Sequence, residues 1–332
     1  MDRYQRPTIS ATTFLLLIVA TLAFAGSHNA GDEMKSLELR QGVIVDLKDN
    51  RIYLMSPKRS VEAVDITSGE TLWNTNEAAK PLTVNDGMLV CQAEASPAIN
   101  YLNLVVLNAR DGRLILKRSI ALPPRVNTQI DNALSSRFFT HAVSVGGDSF
   151  VSWEHQSFPV RGMPPLPEKT GRVQAAELPQ QTAGMVQLDV RTGDASQLDP
   201  ATLPQAVRGM WPKNLTGKPG APPDPTQRIS IDGNHTLKSK RVGDDRIWDK
   251  YQWTIVDNKT GKEIGQLKSY LSQSGFVVVD SRIVFETSPF SRIIASGTVE
   301  EPLMVRAVDL RSGDQIWSKP VRDTAFRGPF PP

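Results

Sequence analysis

Ala63-Val64-Asp65-Ile66-Thr67-Ser68-Gly69-Glu70-Thr71-Leu72-Trp73 returns near the other end of the chain as Ala307-Val308-Asp309-Leu310-Arg311-Ser312-Gly313-Asp314-Gln315-Ile316-Trp317. Six of the eleven positions are identical and three more are conservative exchanges. Weaker copies centre on Leu107-Asn108-Ala109-Arg110-Asp111-Gly112, Leu188-Asp189-Val190-Arg191-Thr192-Gly193 and Val256-Asp257-Asn258-Lys259-Thr260-Gly261. Repetition of this kind outranks every other signal in a sequence, because it sets the architecture.

Each copy reads as a hairpin. An apolar run enters as a strand, and Asp or Asn opens a tight turn by bonding the backbone two residues on. Glycine closes the turn because it reaches positive φ without a Cβ penalty. A second strand follows, and in the two best copies it carries Trp four residues after the glycine. A turn and a further strand precede each hairpin, as in Asp49-Asn50 before Ile52-Tyr53-Leu54 and Asp86-Gly87 before Met88-Leu89-Val90. Asp148-Ser149, Asp232-Gly233 and Asp280-Ser281 stand at the same place in the later units. Two turns in fixed order imply three or four antiparallel strands per unit, the content of one propeller blade.

The five turn glycines lie at 69, 112, 193, 261 and 313, so the steps are 43, 81, 68 and 52 residues. A blade takes roughly 40–50 residues, so the long steps hold insertions. Residues 156–184 and 199–226 are the Pro-rich candidates. The fold expected is all-β: a propeller of about five to seven four-stranded antiparallel blades over residues 26–332, with these loop insertions. The spacing of Ile130, Leu134 and Phe138 predicts a short helix within 126–141. Leu37-Glu38-Leu39-Arg40 alternates like a half-buried strand, and residues 37–41 are expected to pair with the C-terminal blade and close the ring. A sixth, degenerate blade within 113–192 is the alternative.

The A-x-D-x-x-[TS]-G-x-x-x-W frame resembles the PQQ-like repeat family of quinoprotein-type β-propellers over about residues 38–325. The resemblance implies radially arranged four-stranded blades with the Trp packed between neighbours. It points to the non-catalytic branch that includes the outer-membrane assembly propeller lipoprotein, and it does not by itself imply a bound quinone. The quinoprotein alcohol dehydrogenases use a vicinal cysteine pair, which this chain, with Cys91 alone, cannot form.

No residue emerges as catalytic, cofactor-binding or metal-binding. Asp65, Asp189, Asp257 and Asp309 recur at one turn position, so they read as turn formers. Gly147-Asp148-Ser149-Phe150 resembles an esterase block but coincides with the repeated turn, and no G-x-S-x-G elbow is present. His28, His141, His155 and His235 make no H-x-x-x-H or H-E-x-x-H pair. Trp153-Glu154-His155 reads as a strand with Trp and His on one face. Cys91 lies in an apolar strand and reads as a small buried residue. Lys238-Ser239-Lys240-Arg241, followed by Asp244, Asp245 and Asp249, is nearly neutral as a block and reads as a solvated loop. Phe326 and Phe330 in the Pro-rich tail read as anchors of a strap across the propeller edge.

A net charge of +3 over 332 residues supplies no basic stripe for nucleic acid. Arg3 and Arg6 precede an apolar run from Phe14 to Ala25, and Ala23-Phe24-Ala25 offers a cleavage site before Gly26. Residues 1–25 therefore read as a signal peptide. A membrane anchor formed by residues 14–25 is the alternative, although a span needs roughly 20 residues. No lipid-modified cysteine is expected after the run. The function expected is an exported, non-catalytic binding or scaffold module for a protein or cell-envelope component, in the periplasm or outside the cell. The alternative is a small PQQ- or metal-dependent oxidoreductase using the central funnel. Mass spectrometry of exported protein is expected to find an N-terminus at or near Gly26. Recovery of intact Met1 chains in the membrane fraction would identify the anchor instead.

Overall fold

A computed structural model of the chain describes residues 36–95, 100–133, 135–157, 180–199, 201, 203–208, 227–244, 249–270, 275–294 and 297–324. Five antiparallel sheets follow one another along them. Blade 1 comprises β1 (Leu37–Arg40), β2 (Val43–Asp46), β3 (Arg51–Met55), β4 (Val61–Asp65) and β5 (Thr71–Thr75). Blade 2 comprises β6 (Lys80–Asn85), β7 (Met88–Gln92), β8 (Tyr101–Asn108) and β9 (Leu114–Ala121). Blade 3 holds β10 (Ser136–Val145), β11 (Asp148–Ser157), β12 (Gln180–Asp189) and β13 (Ala195–Leu198), and a short helix, α1 (Gln205–Arg208), follows it. Blade 4 holds β14 (Gln227–Ile229), β15 (His235–Asp244), β16 (Asp249–Asp257) and β17 (Glu263–Tyr270). Blade 5 is β18 (Phe276–Val279), β19 (Arg282–Thr287), β22 (Met304–Asp309) and β23 (Gln315–Pro320). A separate hairpin, β20 (Phe290–Ile294) with β21 (Gly297–Glu301), stands between β19 and β22.

The repeated turn joins the third and fourth strands of every four-stranded blade, and the last two strands of blade 1. In each copy the glycine N–H donates to the carbonyl of the Asp or Asn four residues earlier, at 2.8–2.9 Å. All five glycines have φ between +69° and +77°. The carboxylates of Asp65, Asp189, Asp257 and Asp309 accept backbone N–H bonds from their own turns. Those bonds hold Asp189, Asp257 and Asp309 below the usual carboxylate range. The recurrent acids are thus turn formers.

The same turn is where blades meet. The indole N–H of Trp317 in blade 5 donates to the Ile66 carbonyl of blade 1 at 2.8 Å, and its ring lies over Gly69, where an added Cβ would collide with it. Trp73 of blade 1 does the same one blade on, donating to the Ala109 carbonyl at 3.2 Å. A Cβ on Gly112 would stand 2.6 Å from the Trp73 ring. Between blades 2 and 3 the role falls to Leu116 and Arg118, which cover Gly193, and the Arg118 guanidinium donates to the Gly193 carbonyl. Between blades 4 and 5 it is inverted: Gly265 stands at the Trp position and Leu310 of the next blade fills the space. Between blades 3 and 4 it is missing among the described residues. Gln197, at the Trp position, donates back to Ala121 of blade 2, and Gly261 has nothing within 4 Å of where its Cβ would be.

The apolar clusters follow the same division. Val64, Trp317, Val305 and Leu54 join blades 5 and 1. Tyr53, Ala63, Leu89 and Val105 join blades 1 and 2, and Val106, Phe138, Trp153 and Val186 join blades 2 and 3. Trp253, Ile255, Phe285 and Leu310 join blades 4 and 5. Among the described residues no apolar cluster joins blades 3 and 4. The free face of blade 3 packs Phe150 and Met185 against Leu203 and Val207 around α1. The blades therefore pack in the order 4-5-1-2-3, with a seam between 3 and 4.

Several expectations change. Residues 37–40 pair with β2 inside blade 1, Leu37 opposite Val45, and not with the C-terminal blade. Closure comes from face-to-face packing, in which Leu37 and Leu39 enter the cluster shared with blade 5. The described residues of 126–141 hold no helix: Val126 and Ile130 are buried in irregular chain, β10 begins at Ser136, and Leu134 lies outside the described residues. Of the apolar residues spaced four apart there, Ile130 is buried in a loop and Phe138 on β10, in separate core clusters. The described residues of 113–192 form β9 and most of blade 3 and hold no sixth blade. Of the two insertions, 156–157 and 180–184 extend the long β11–β12 pair, 199 and 201 follow β13 and 203–208 contains α1, while the remainder lies outside the described residues. The segment 1–25 and the anchors Phe326 and Phe330 also lie outside them. Residues 321–324 do cross from blade 5: Arg322 N–H bonds the Met55 carbonyl, and the Thr324 carbonyl accepts from Asn132.

Trp317 is 7% exposed, so Trp317→Ala is expected to cost about 3–5 kcal/mol in chemical denaturation. Trp73 is half-buried and Trp73→Ala is expected to cost clearly less. Equal losses would show that the indoles do not act through junction packing.

Candidate functional site

The innermost strands of blades 1, 2 and 3 bring together a set of polar side chains that no motif announces. On β1 the apolar Leu37 and Leu39 turn into the core, so Glu38 and Arg40 turn the other way. β6 is buried along its whole length, Lys80 included. Lys80 Nζ donates to Thr140 Oγ1 at 2.9 Å, to the Thr140 carbonyl at 3.1 Å and to Gln41 Oε1 at 3.4 Å. Three donors thus meet three oxygens, as burying an ammonium requires. Thr140 passes its own proton to Gln92 Oε1 at 2.9 Å, and Gln92 Nε2 donates to the Thr128 carbonyl at 3.0 Å.

The other end of the network reaches solvent. His141 Nδ1 is 2.8 Å from Glu38 Oε2, and its Nε2 is 3.3 Å from Gln41 Nε2. With Gln41 Oε1 committed to Lys80, the amide nitrogen must donate to His141. The imidazole then carries its proton on Nδ1, toward Glu38. Arg40 pairs with the buried Glu286 of blade 5 at 2.8 Å. A string of hydroxyls, Ser36, Thr83, Ser144 and Ser149, runs alongside with spacings of 3.1–3.3 Å. Asn85 ends it, donating to the Asp148 carbonyl at 3.2 Å while its own Oδ1, fully buried, has no partner.

Arg322 forms a second charged knot. It is 6% exposed and forks onto Asp131 at 2.8 and 2.5 Å while also bonding Glu94. One guanidinium thereby ties the chain beyond blade 5 to blade 2 and the loop after it.

The residues weighed in the sequence do not gather here. Ser149 is buried on β11 with another hydroxyl as neighbour, not a base. Cys91 is buried on β7, and burial pushes its thiol well up, away from the thiolate. His155 is buried beside Trp153 on β11, with Nε2 unpartnered, and burial lowers its pKa. Among the described residues no three His, Cys, Asp or Glu side chains converge as metal ligands. Of His141, His155 and His235, His141 alone joins the network, and both its ring nitrogens are engaged, while His28 lies outside the described residues. Lys80 escaped notice although it stands in Lys80-Pro81-Leu82-Thr83-Val84, an apolar strand with one charge; that charge was the available signal.

Residues 25–161 match a protein-family model described as outer membrane protein assembly factor BamB. No curated protein sequence matches the chain. Among solved structures, a hydrazine synthase chain from Kuenenia stuttgartiensis aligns at 13% identity and TM-score 0.27, over 65% of this chain and 58% of that one. A eukaryotic initiation factor aligns at 10% identity and TM-score 0.32, over 85% and 87%. The quinohemoprotein alcohol dehydrogenase of Comamonas testosteroni aligns at 12% identity and TM-score 0.27, over 86% and 44%. This chain therefore spans less than two thirds of the hydrazine synthase chain and of the dehydrogenase.

Burial pushes the Lys80 pKa down to about 8 from 10.5, the nearby Glu38 only partly opposing it. Between those values the unfolded chain holds a proton that the folded chain has released. Stability is expected to rise with pH across that window, by at most about 1.4 kcal/mol per pH unit. Above about pH 10 the Tyr53 phenol, pushed up by burial, reverses the trend. Lys80→Met is expected to flatten the slope between pH 8 and 10 in denaturation series. An unaltered slope would show that Lys80 does not release its proton there.

Proposed function

Its repeats over residues 25–161 make this chain a member of the PQQ-like β-propeller repeat family, and from that premise we propose an exported, non-catalytic module that binds or scaffolds a protein or cell-envelope component. One observation carries the reading. The polar groups of the innermost strands that could act as acid or base are spent on one another: Lys80 has three oxygens, His141 has two partners and Arg40 has Glu286, while the orphaned atoms, Asn85 Oδ1 and Arg40 Nε, are buried and not basic. A general base needs a free lone pair within reach of a substrate proton, and a nucleophile needs a base beside it. This network supplies rigidity instead, pinning blades 1, 2, 3 and 5 to each other. Binding then falls to the connections between strands, which propellers carry on their two ends. The periplasm or the cell exterior is the compartment proposed, resting on the apolar run Phe14 to Ala25 and on the envelope description of the matched family.

Cross-linking of the exported protein in intact cells, followed by mass spectrometry, tests the reading. Deleting the connection between β11 and β12, or that between α1 and β14, is expected to remove defined partners while the unfolding midpoint holds. Retention of every partner in both deletions would reject the loop assignment. Dye reduction with alcohols or sugars after addition of PQQ and calcium is expected to stay at background, and turnover that depends on the quinone would reject the non-catalytic reading.

A further inference from the structure

The sequence Lys238-Ser239-Lys240-Arg241 is not a loop. It lies in β15, and strand alternation sorts it into two faces. Leu237 faces the core shared with blade 5, together with Trp253, Ile255 and Leu267. Lys238 and Lys240 therefore face the other way, toward the seam. Lys238 pairs with Thr254, Lys240 with Gln252, and Gln252 in turn with Lys268. Lys250 stands two residues before Gln252 on the same side of β16. Near neutrality along the sequence thus conceals four lysines on one face of one sheet.

That face differs from its counterparts. Blades 1, 2, 3 and 5 each place apolar side chains in two separate clusters, one per face. Among the described residues blade 4 contributes core residues to one face alone, apart from Ile231 beyond β14. Lys238, Lys240, Lys250, Lys268 and Gln266 are exposed on the opposite face. Gln252 donates to Gln266 at 2.8 Å, and Glu263, bonded to Gln266, is the acid found at the turn end of this face. Among the described residues no carboxylate pairs with any of the four lysines, although like charges on adjacent strands repel. A charge excess held where a propeller normally packs its next blade is a poor choice for stability alone.

We propose that the seam face of blade 4 is a docking surface for an extended acidic polypeptide segment of a partner protein. This deepens the binding-module reading and rests on it. The spacing favours a peptide. Lys238 and Lys240 are two residues apart on one strand, about 7 Å, the repeat of alternate side chains in an extended chain. Lys240 and Lys268 are two strands apart, about 10 Å. Gln252, Thr254 and Gln266 lie between them and offer both donors and acceptors to the peptide groups of a bound strand.

Fluorescence anisotropy with a labelled twelve-residue peptide of alternating glutamate and threonine tests the proposal on the full chain. Binding is expected to weaken steeply with salt and to be absent when glutamine replaces glutamate. The triple variant K240Q/K250Q/K268Q is expected to lose at least about tenfold in affinity, whereas K48Q/K58Q/K117Q, on blades 1 and 2, is expected to bind as the parent does. All six lysines are exposed, so both variants should keep the parent's unfolding midpoint. Equal losses in the two variants, or none in the first, would overturn the proposal. So would binding of phosphatidylglycerol vesicles or heparin that K240Q/K250Q/K268Q abolishes while the acidic peptide fails to bind. If the peptide result fails while the loop deletions still remove cross-linked partners, this surface is wrong and the module reading stands.

Discussion

The structure turns on an indole laid over a glycine. A propeller blade must bring its outer hairpin against the neighbouring blade without burying a carbonyl unpaired, since an orphaned acceptor costs on the order of 1–3 kcal/mol. Trp317 answers both needs at once: its ring occupies the space a Cβ on Gly69 would take, and its N–H satisfies the Ile66 carbonyl. The glycine is required twice over, for a φ of +75° and for the absent side chain. Trp73 and Gly112 repeat the arrangement, and Leu116 with Arg118 approximates it. The eleven-residue phrase is repetitive because each copy must fit its neighbour as well as itself.

The polar network of the innermost strands answers a different problem. Near the axis strands from several blades crowd together, and the space between them is too irregular for aliphatic side chains to fill alone. Lys80 reaches across from blade 2 to Thr140 of blade 3 and Gln41 of blade 1, and Arg40 reaches Glu286 of blade 5. Buried charged groups of this kind add specificity more than stability. The depressed Lys80 pKa is the mark of that cost.

Local chemistry was legible in the sequence, and long-range assignment was not. The turns around Asp65, Asp189, Asp257 and Asp309, the alternation of Leu37 to Arg40 and the burial of Cys91 follow from residue type and period. The partner of β1 did not follow, because a half-buried strand has the same pattern whichever edge it joins. Ile130 and Phe138 imitated a helix because a buried loop residue and a buried strand residue happen to stand eight apart, one in the cluster of blades 5 and 1 and the other in that of blades 2 and 3. The polar axis was hidden since Glu38, Gln41, Lys80, Thr140 and His141 are spread over a hundred residues and meet only after three blades assemble. The lysines of β15 were read as part of a balanced block because charge counted along a chain ignores the face on which each side chain emerges.

The order 4-5-1-2-3 has a kinetic meaning. Trp317 and Ile66 are 251 residues apart, whereas Trp73 and Ala109 are 36 apart. Loop-closure entropy makes the longer junction costlier by roughly 1.7 kcal/mol if the intervening chain is unstructured, and contacts of such separation slow folding. Blades 1 to 3 and blades 4 to 5 can each assemble from near neighbours, so the junction bearing Trp317, the better buried of these two indoles, is the last to form. The covalent link between blades 3 and 4 serves as a tether that raises the effective concentration of one half for the other. A circular permutant opened in that link and joined at the present ends would make every packed junction local. The natural chain keeps the Trp317 junction where sequence makes it slowest to reach.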